Sequence, residues 1–574
     1  VKREAVYHLN TENYIYPVSR SRLRVKLRTA KGDIKECLLL HFDRTKPDAV
    51  RSAVLKKQQS DALFDYYYGH IDTSKVARYQ KYYFKLTDYD GKEIFYCPIG
   101  FSSEKPEDFF EYLYTNPNDV VRHPDWSYGT IYYQIFPERF KNGDTQNDPP
   151  GTEKWGSTPT RENYMGGDIR GIIEEIPYLK ELGIETIYMN PIFYADFNHK
   201  YATTDYYRID PIFGTNDDFR EMVDKLHESG IRILLDGVFN HTGIHFKPFR
   251  DVLENGRDSR YYNWFLPVKE NEIKISHKDY ECVGAYKYMP KLNSSNPEVR
   301  EFILNVMDHW IREYGIDGWR LDVADELDIN VWQEACMVLR QRYPDIFLLG
   351  ETWGYGGRLT DGKMLDSVMN YMFRDAVRDY FGYEKIGTDE FDSRINTMLS
   401  LYKNETGKVL YNLLDSHDTE RFLNYCSGDT DKMKLAVAFQ FLFIGSPAIY
   451  YGDEVGINGE NDPDCRKCMI WGDEQNRELL DWYKKLIKIR KDHVAVRTGD
   501  YMTTFIDDEN EIICFERREE NEKIQVIIRK GKRNDASVKV KGSGINLITG
   551  QMIAADTAGF IDVEPYSVKA IKTV

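Results

Sequence analysis

Three consecutive stretches decide the fold: ETIYMN (185–190), NDDFREMVDKLHESG (216–230) and IRILLD (231–236). The first and last are short, continuous apolar runs. The middle one repeats apolar residues at helical spacing. A strand that is apolar throughout needs cover on both faces, and intervening helices supply it, so the pattern reads as a parallel sheet. Upstream, IYYQIF (131–136) precedes the helical stretch DIRGIIEEIPYLKELG (168–183). Downstream lie DGWRL (317–321), IFLLG (346–350), LDSVMN (365–370), KVLYNL (408–413) and PAIYY (447–451). These eight strands predict a (β/α)8 TIM barrel at the centre of a multidomain α/β chain. The largest insertion, about residues 242–296, falls between the third and fourth strands. It has no clean period and reads as a protruding subdomain that helps wall the site.

The flanks read differently. Residues 1–122 alternate apolar and polar over short stretches such as LRVKLRT (23–29) and KYYFKLTDYD (81–90), which predicts an N-terminal β-sandwich. Residues 495–574 return to strand-like runs, including EIICFERR, KIQVIIRK and ASVKVK, and predict a C-terminal β-sandwich. The barrel is expected over 123–494. No internal repeat, low-complexity segment or long linker interrupts the 574 residues.

Composition bounds the partners. Lys and Arg number 77 against 93 Asp and Glu, a net charge of −16, which suits a nucleic-acid backbone poorly. No run of 18 apolar residues predicts a membrane span. The opening VKREAVYHLN has no apolar h-region, so a cytoplasmic location is expected, although a start at Val1 leaves a removed leader open. Eight Cys do not make a dense disulfide framework. The 42 Tyr, 29 Phe and 9 Trp can stack on sugars, but most such rings fill cores.

Chemistry in a (β/α)8 barrel sits at the C-terminal strand ends. The third strand ends in DGVFNH, with Asp236, Asn240 and His241. The fourth ends in GWRLDVADE, with Arg320, Asp322 and Glu326. The fifth ends in GETW, with Glu351 and Trp353, and the seventh in LLDSHD, with His417 and Asp418. Each residue alone has a structural explanation: a strand-end Asp caps helices, and a lone His is usually a satisfied structural side chain. Their convergence is different, because gathered carboxylates repel one another and a fold gains nothing from collecting them. Metal catalysis is one reading, but no HExxH motif supports zinc. Glycoside cleavage needs a nucleophilic carboxylate, a second carboxyl as acid then base, and stabilisation of a cationic transition state. The inventory matches that need.

In their order and spacing, DGVFNH, GWRLDVADE, GETW and LLDSHD resemble the four signature segments of the α-amylase family, glycoside hydrolase family 13. MPKLN (289–293) resembles the form found in neopullulanases, cyclomaltodextrinases and maltogenic amylases, whereas oligo-1,6-glucosidases more usually show a QPDLN-like segment. The resemblance implies that Asp322 is the nucleophile, Glu351 the general acid and base, and Asp418 a third carboxylate binding sugar hydroxyls. It implies that Arg320 helps keep Asp322 ionised, that His241 and His417 hydrogen-bond the sugar, and that Asp236 supports them from beneath. Tyr201, in His199-Lys200-Tyr201, would stack on the sugar at the cleavage point; a loop Tyr packed on the rim is the alternative. Trp353 would line the leaving-group side. Asp462 and Arg466, in NDPDCRKC (461–468), would contact sugar on the other side, with a local ion pair the equal alternative. Cys465 and Cys468 in that loop form an isolated CxxC, a weak redox or metal signal.

FKNGDTQNDP (140–149) gathers Asn142, Asp144, Asn147 and Asp148, oxygen donors that suit Ca2+. A polar turn has the same composition. The resemblance favours a structural Ca2+, completed by Gly166 and Asp168. The expected activity is retaining cleavage of α-1,4-glucosidic bonds, with some α-1,6 cleavage and transglycosylation, in cyclodextrins, maltooligosaccharides, pullulan or starch. An exo-acting α-1,6-glucosidase or sugar isomerase, and a non-catalytic glycan binder, are the alternatives. The resemblance also implies a starch-binding-like N-terminal sandwich and a homodimer formed through it.

Overall fold

The computed structural model describes every residue except 12, 270–272, 277, 533–535, 541 and 574. Small parts of the expected insertion and of the C-terminal strands, including the last residue of ASVKVK, therefore lie outside the described residues. Eight parallel strands form the centre: β1 (Tyr132–Ile135), β2 (Thr186–Met189), β3 (Arg232–Gly237), β4 (Gly318–Leu321), β5 (Phe347–Gly350), β6 (Ser367–Val368), β7 (Tyr411–Leu413) and β8 (Ser446–Tyr450). They pair in the order β6-β5-β4-β3-β2-β1-β8-β7. A parallel bridge between Met369 and Tyr411 joins the two ends, so the sheet closes into the expected barrel. Each strand lies on its apolar run, with β3 running one residue past its run to Gly237 and β8 starting one residue early at Ser446, while β6 and β7 are shorter than their runs suggest.

Alternation explains why those runs are continuous. Tyr132, Tyr188, Leu234, Phe347, Leu349, Tyr411 and Leu413 form one buried cluster within the ring of strands. The intervening Tyr133, Ile187, Ile233, Leu235 and Leu348 join the larger cluster made with the helices. The helix Asn216–Glu228 turns Phe219, Met222, Val223 and Leu226 inward, and a capping box between Thr215 and Asp218 starts it. The single helical stretch read over 168–183 is instead two helices, Ile169–Glu174 and Ile176–Leu182. Pro177, in the first turn of the second, lacks the N–H that a continuous helix would need.

Nine antiparallel strands between Ile15 and Tyr114 make up the N-terminal part. The strand Arg51–Ser60 pairs with both Ile34–Asp43 and Phe64–Asp72 and so links its two halves. Leu23, Val25 and Leu27 from one half meet Leu39, Phe84 and Leu86 from the other in a single core. This part docks on the barrel: Asn13 and Lys26 donate to the carbonyls of Ser400 and Leu401, at the end of the helix Thr388–Leu401. The C-terminal part has a six-stranded sheet beginning at Asp500 and a two-stranded sheet of Ser537–Lys539 with Phe560–Asp562. Ile512, Ile527, Val538, Ile561 and Ile571 fill the space between them. Among the described residues no helix is long and apolar enough to cross a membrane.

Candidate active site

Register builds the site. Asp236 pairs with Arg320 across β3 and β4, and Arg320 pairs with Leu349 across β4 and β5. Arg320 is fully buried in the ring. Its Nη1 donates to Asp236 Oδ1 (3.0 Å) and Oδ2 (3.1 Å) and to Asp322 Oδ1 (2.8 Å). Its Nη2 lies 2.9 Å from Glu351 Oε2. One guanidinium therefore holds three carboxylates from three strand ends.

The residues above this layer are linked by hydrogen bonds. Tyr188 and Tyr201 both donate to Asp236 Oδ2, at 2.7 and 2.8 Å. The Gln134 amide donates to Asn190 Oδ1 and to His417 Nδ1, at 2.9 and 2.8 Å. That arrangement assigns the His417 proton to Nε2, which faces Tyr201 Oη at 2.6 Å and Asp418 Oδ2 at 3.0 Å. The rings of Tyr201 and His417 are parallel within 3°. Arg466 Nε donates to the His417 carbonyl, and its guanidinium reaches Asp418 at 3.4 Å and Asp462 at 2.9 Å. The His241 Nε2 meets the Tyr201 carbonyl at 3.0 Å, and its Nδ1 is buried without a hydrogen-bond partner.

Burial sets the electrostatics. It pushes the Asp322 carboxyl well above the usual range, and Arg320 opposes it while Glu351 and Asp236 add to it. It also raises Glu351, opposed by Arg320 and reinforced by Asp418. The Asp418 carboxyl is raised by burial, with Arg466 and Arg320 opposing. The expected Arg320–Asp322 pair is present, but Arg320 is shared among three carboxylates, so it does not outweigh burial at any one. The raised carboxyls interact strongly, so their titration belongs to the group. Burial and the nearby Arg466 hold His417 well below its ordinary value, so it is neutral.

Asp236, Arg320, Asp322, Glu351, His417, Asp418 and Tyr201 are brought into this one network, and His241, Arg466 and Asp462 border it. Trp353 is not bonded to it. The half-exposed indole stacks on Tyr371 at 4.2 Å. Two rim candidates fall outside: Glu326 and Asn240 both pair with Lys291 of MPKLN, at 2.7 and 2.8 Å. The loop cysteines are buried free thiols, and burial pushes Cys465 up to about 12. Sequence reasoning missed Gln134, Tyr188, Asn190 and Tyr371. Gln134 left a signal, a polar residue inside the apolar run IYYQIF. The phenol of Tyr188 left none, because a Tyr there reads as core.

The expected cation loop is compact. Asn142 Nδ2 donates to Asp148 Oδ1 at 2.9 Å, while the Asn142 and Asn147 Oδ1 atoms are buried without hydrogen-bond partners. Gly166 has φ +82°, and a Cβ there would meet Asp148 Oδ1 at 2.2 Å. Asp168, also expected there, lies against the same loop. Its two oxygens accept from the N–H groups of Gly143, Asp144 and Gly171 and from Asn147 Nδ2, so as placed it caps a helix and braces the loop.

The description "Alpha amylase, catalytic domain" matches residues 134–479, and "Alpha amylase, N-terminal ig-like domain" matches residues 1–118. This chain belongs to the α-amylase family. Within that family it is 40% identical to neopullulanase 2 of Thermoactinomyces vulgaris over 562 residues, 96% of each chain. It is 41% identical to a cyclomaltodextrinase of Thermoanaerobacter pseudethanolicus, covering 93% of each. A solved cyclomaltodextrinase structure superposes with a TM-score of 0.92 at 37% identity, over 99% of this α-amylase-family chain and 100% of the other.

Proposed function

We propose that the chain is a retaining α-glucan hydrolase that cleaves α-1,4 bonds, and some α-1,6 bonds, in cyclodextrins, maltooligosaccharides, pullulan or starch fragments. The observation that carries this reading is the pair of carboxyls straddling one guanidinium, Asp322 at Nη1 and Glu351 at Nη2. Double displacement needs its two carboxyls only about 5–5.5 Å apart, and a shared guanidinium keeps them close. Asp322 attacks the anomeric carbon while Glu351 gives its proton to the departing glycosidic oxygen. Glu351 then takes a proton from water, or from a sugar hydroxyl in transglycosylation, and the glycosyl–Asp322 ester breaks. The upward shift that burial gives Glu351 suits the first step, in which that carboxyl donates a proton. Asp418, His417 and His241 present polar atoms to the sugar hydroxyls, Tyr201 presents a ring, and Trp353 lines the leaving-group side. Asp462 and Arg466 lie on the other side. The neopullulanase and cyclomaltodextrinase relatives support the substrate range.

The test is product analysis on β-cyclodextrin, pullulan and soluble starch in parallel, with NMR of the first-released anomer. Release of the α-anomer is expected; β-first release, or full activity in Asp322→Asn, overturns the reading.

Asn142, Asn147 and Asp148, with Gly166 and Asp144 beside them and Asp168 as brace, would hold a structural Ca2+. The two partnerless amide oxygens support the fit. Exposed apolar residues on the N-terminal part, among them Leu63, Ile99 and Leu113, support a homodimer formed there, and sedimentation of the full chain tests it. Eight free thiols, seven of them buried, support a cytoplasmic location.

A further inference from the structure

Aromatic rings continue outward from the cleavage position. Tyr201 stacks near-parallel on His199, at 5.9 Å and 28°, and His199 on Phe197, at 5.3 Å and 4°. Phe197 packs against Tyr288 of the insertion at 4.6 Å, and Tyr288 against Tyr286 at 5.7 Å. Phe197, His199 and Tyr288 are half-buried, and Tyr286 is exposed.

The backbone holds the inner part of this track in place. Lys200 has φ +62°, a left-handed conformation that a side chain adopts only under constraint. Its buried Nζ supplies the constraint, bonding Asp210 Oδ2 at 2.7 Å and the Ala195 carbonyl at 2.9 Å. The turn lets the Tyr201 N–H donate to His199 Nδ1 at 3.0 Å. The His199 proton then sits on Nε2, which has no partner among the described residues. Burial and the nearby Arg466 lower His199 to about 3, so the ring is neutral in ordinary buffers.

A polar chain lies beside the rings. Arg466 pairs with Asp462, and Asp462 with Arg161 at 3.4 Å, and Tyr288 lies in the field of Arg161 and Asp462. Apolar faces beside fixed donors and acceptors suit a sugar, which presents C–H faces and a hydroxyl rim. Glu351 protonates the leaving oxygen, and Trp353, two residues on, marks the leaving-group side. The track departs from Tyr201 and His417 instead.

We propose that Phe197, His199 and Tyr288 form a glycone-side track that binds the glucose units of an α-1,4-glucan beyond the one being cleaved. It rests on the glycosidase reading and adds a specificity: linear chains long enough to reach Tyr288 bind more tightly than maltose.

Calorimetry in a Glu351→Gln background, which stops turnover, tests this with maltoheptaose and maltose. Tyr288→Ala is expected to weaken maltoheptaose about tenfold and leave maltose unchanged, and Tyr288→Phe to restore it. Phe197→Leu gives an independent check and is expected to weaken maltoheptaose selectively. Equal loss for both sugars, or no loss for maltoheptaose in either variant, overturns the track. Turnover of β-cyclodextrin by the unsubstituted enzyme is read separately. Its failure would count against the glycosidase reading, whereas length-selective binding would still stand or fall by the titrations.

Discussion

Replacing Arg320 by Met gives the sharpest test of the buried charge cluster. Met keeps an unbranched chain of similar length beside Met369, whose Sδ lies 3.5 Å from Arg320 Nε. It removes the one cation among the described residues that touches Asp236, Asp322 and Glu351 together. Hydrogen bonds to charged groups are each worth about 1.5–3 kcal/mol. The three orphaned carboxylates limit their loss by binding protons, at about 1.4 kcal/mol for each unit of pKa rise. The expected net destabilisation at pH 7 is about 3–5 kcal/mol, typical of a broken buried pair. The sign with pH follows. In the variant the folded-state carboxyl pKa values rise further above their unfolded values, so the folded protein binds more protons than the unfolded chain. Its stability then falls as pH rises through that window and recovers as pH drops. Going from pH 7 to pH 5 recovers about 2.7 kcal/mol for each proton retained. Urea unfolding of both proteins at pH 5 and 7, followed by tryptophan fluorescence, measures the difference. A deficit equal at both pH values, or larger at pH 5, refutes the shared-cation account. Activity at pH 7 should fall by about 10³-fold or more, because the charges no longer sit in a fixed field.

Other consequences are smaller. Tyr201→Phe keeps the ring but removes the hydroxyl that donates to Asp236 and faces His417; steady-state kinetics should show kcat/KM down about 10- to 100-fold, consistent with 1–3 kcal/mol for an unsatisfied buried partner. If Ca2+ occupies the 140–148 loop, EDTA should lower the melting temperature of the natural chain, with about 2.7 kcal/mol lost from a site previously at 100 times its Kd; Asn142→Ala should show no such EDTA effect. Burial between Lys26 and Tyr82 lowers His8 to about 3, so the unfolded chain binds the extra proton between pH 6.5 and 3 and stability is lost as pH falls through that window. The cost is roughly 3–5 kcal/mol, and His8→Phe should flatten this acid limb in denaturant titrations.

The barrel was legible because its strands are buried on both faces, which turns each into an apolar run such as IRILLD. The carboxylates were legible because the strand ends collect them, four segments in one order. The break at Pro177 was legible in principle, since the residue itself was in view inside a helical period. The supporting tyrosines were not. Nothing in ETIYMN separates Tyr188, whose hydroxyl holds Asp236, from a tyrosine that only packs. Nor does GWRLD reveal that one arginine is divided among three acids, because two of those acids come from strands 84 and 31 residues away in the chain. That division spreads over three acids the hold expected on Asp322 alone.

The closure of the ring has a consequence of its own. β6 has two residues and meets β7 through the single bridge from Met369 to Tyr411. Every other neighbour pair in the ring has at least two registered residues. This is the thinnest stave of the cask, and side-chain bonds from the Tyr411 N–H to Ser367 Oγ and from Asn370 to Asn412 reinforce it. Glu351 leaves β5 on one side of it, and Asp418 follows β7 on the other. On the proposed reading, a glucan touching both residues would span the seam like a hoop and lie where the strand pairing is shortest.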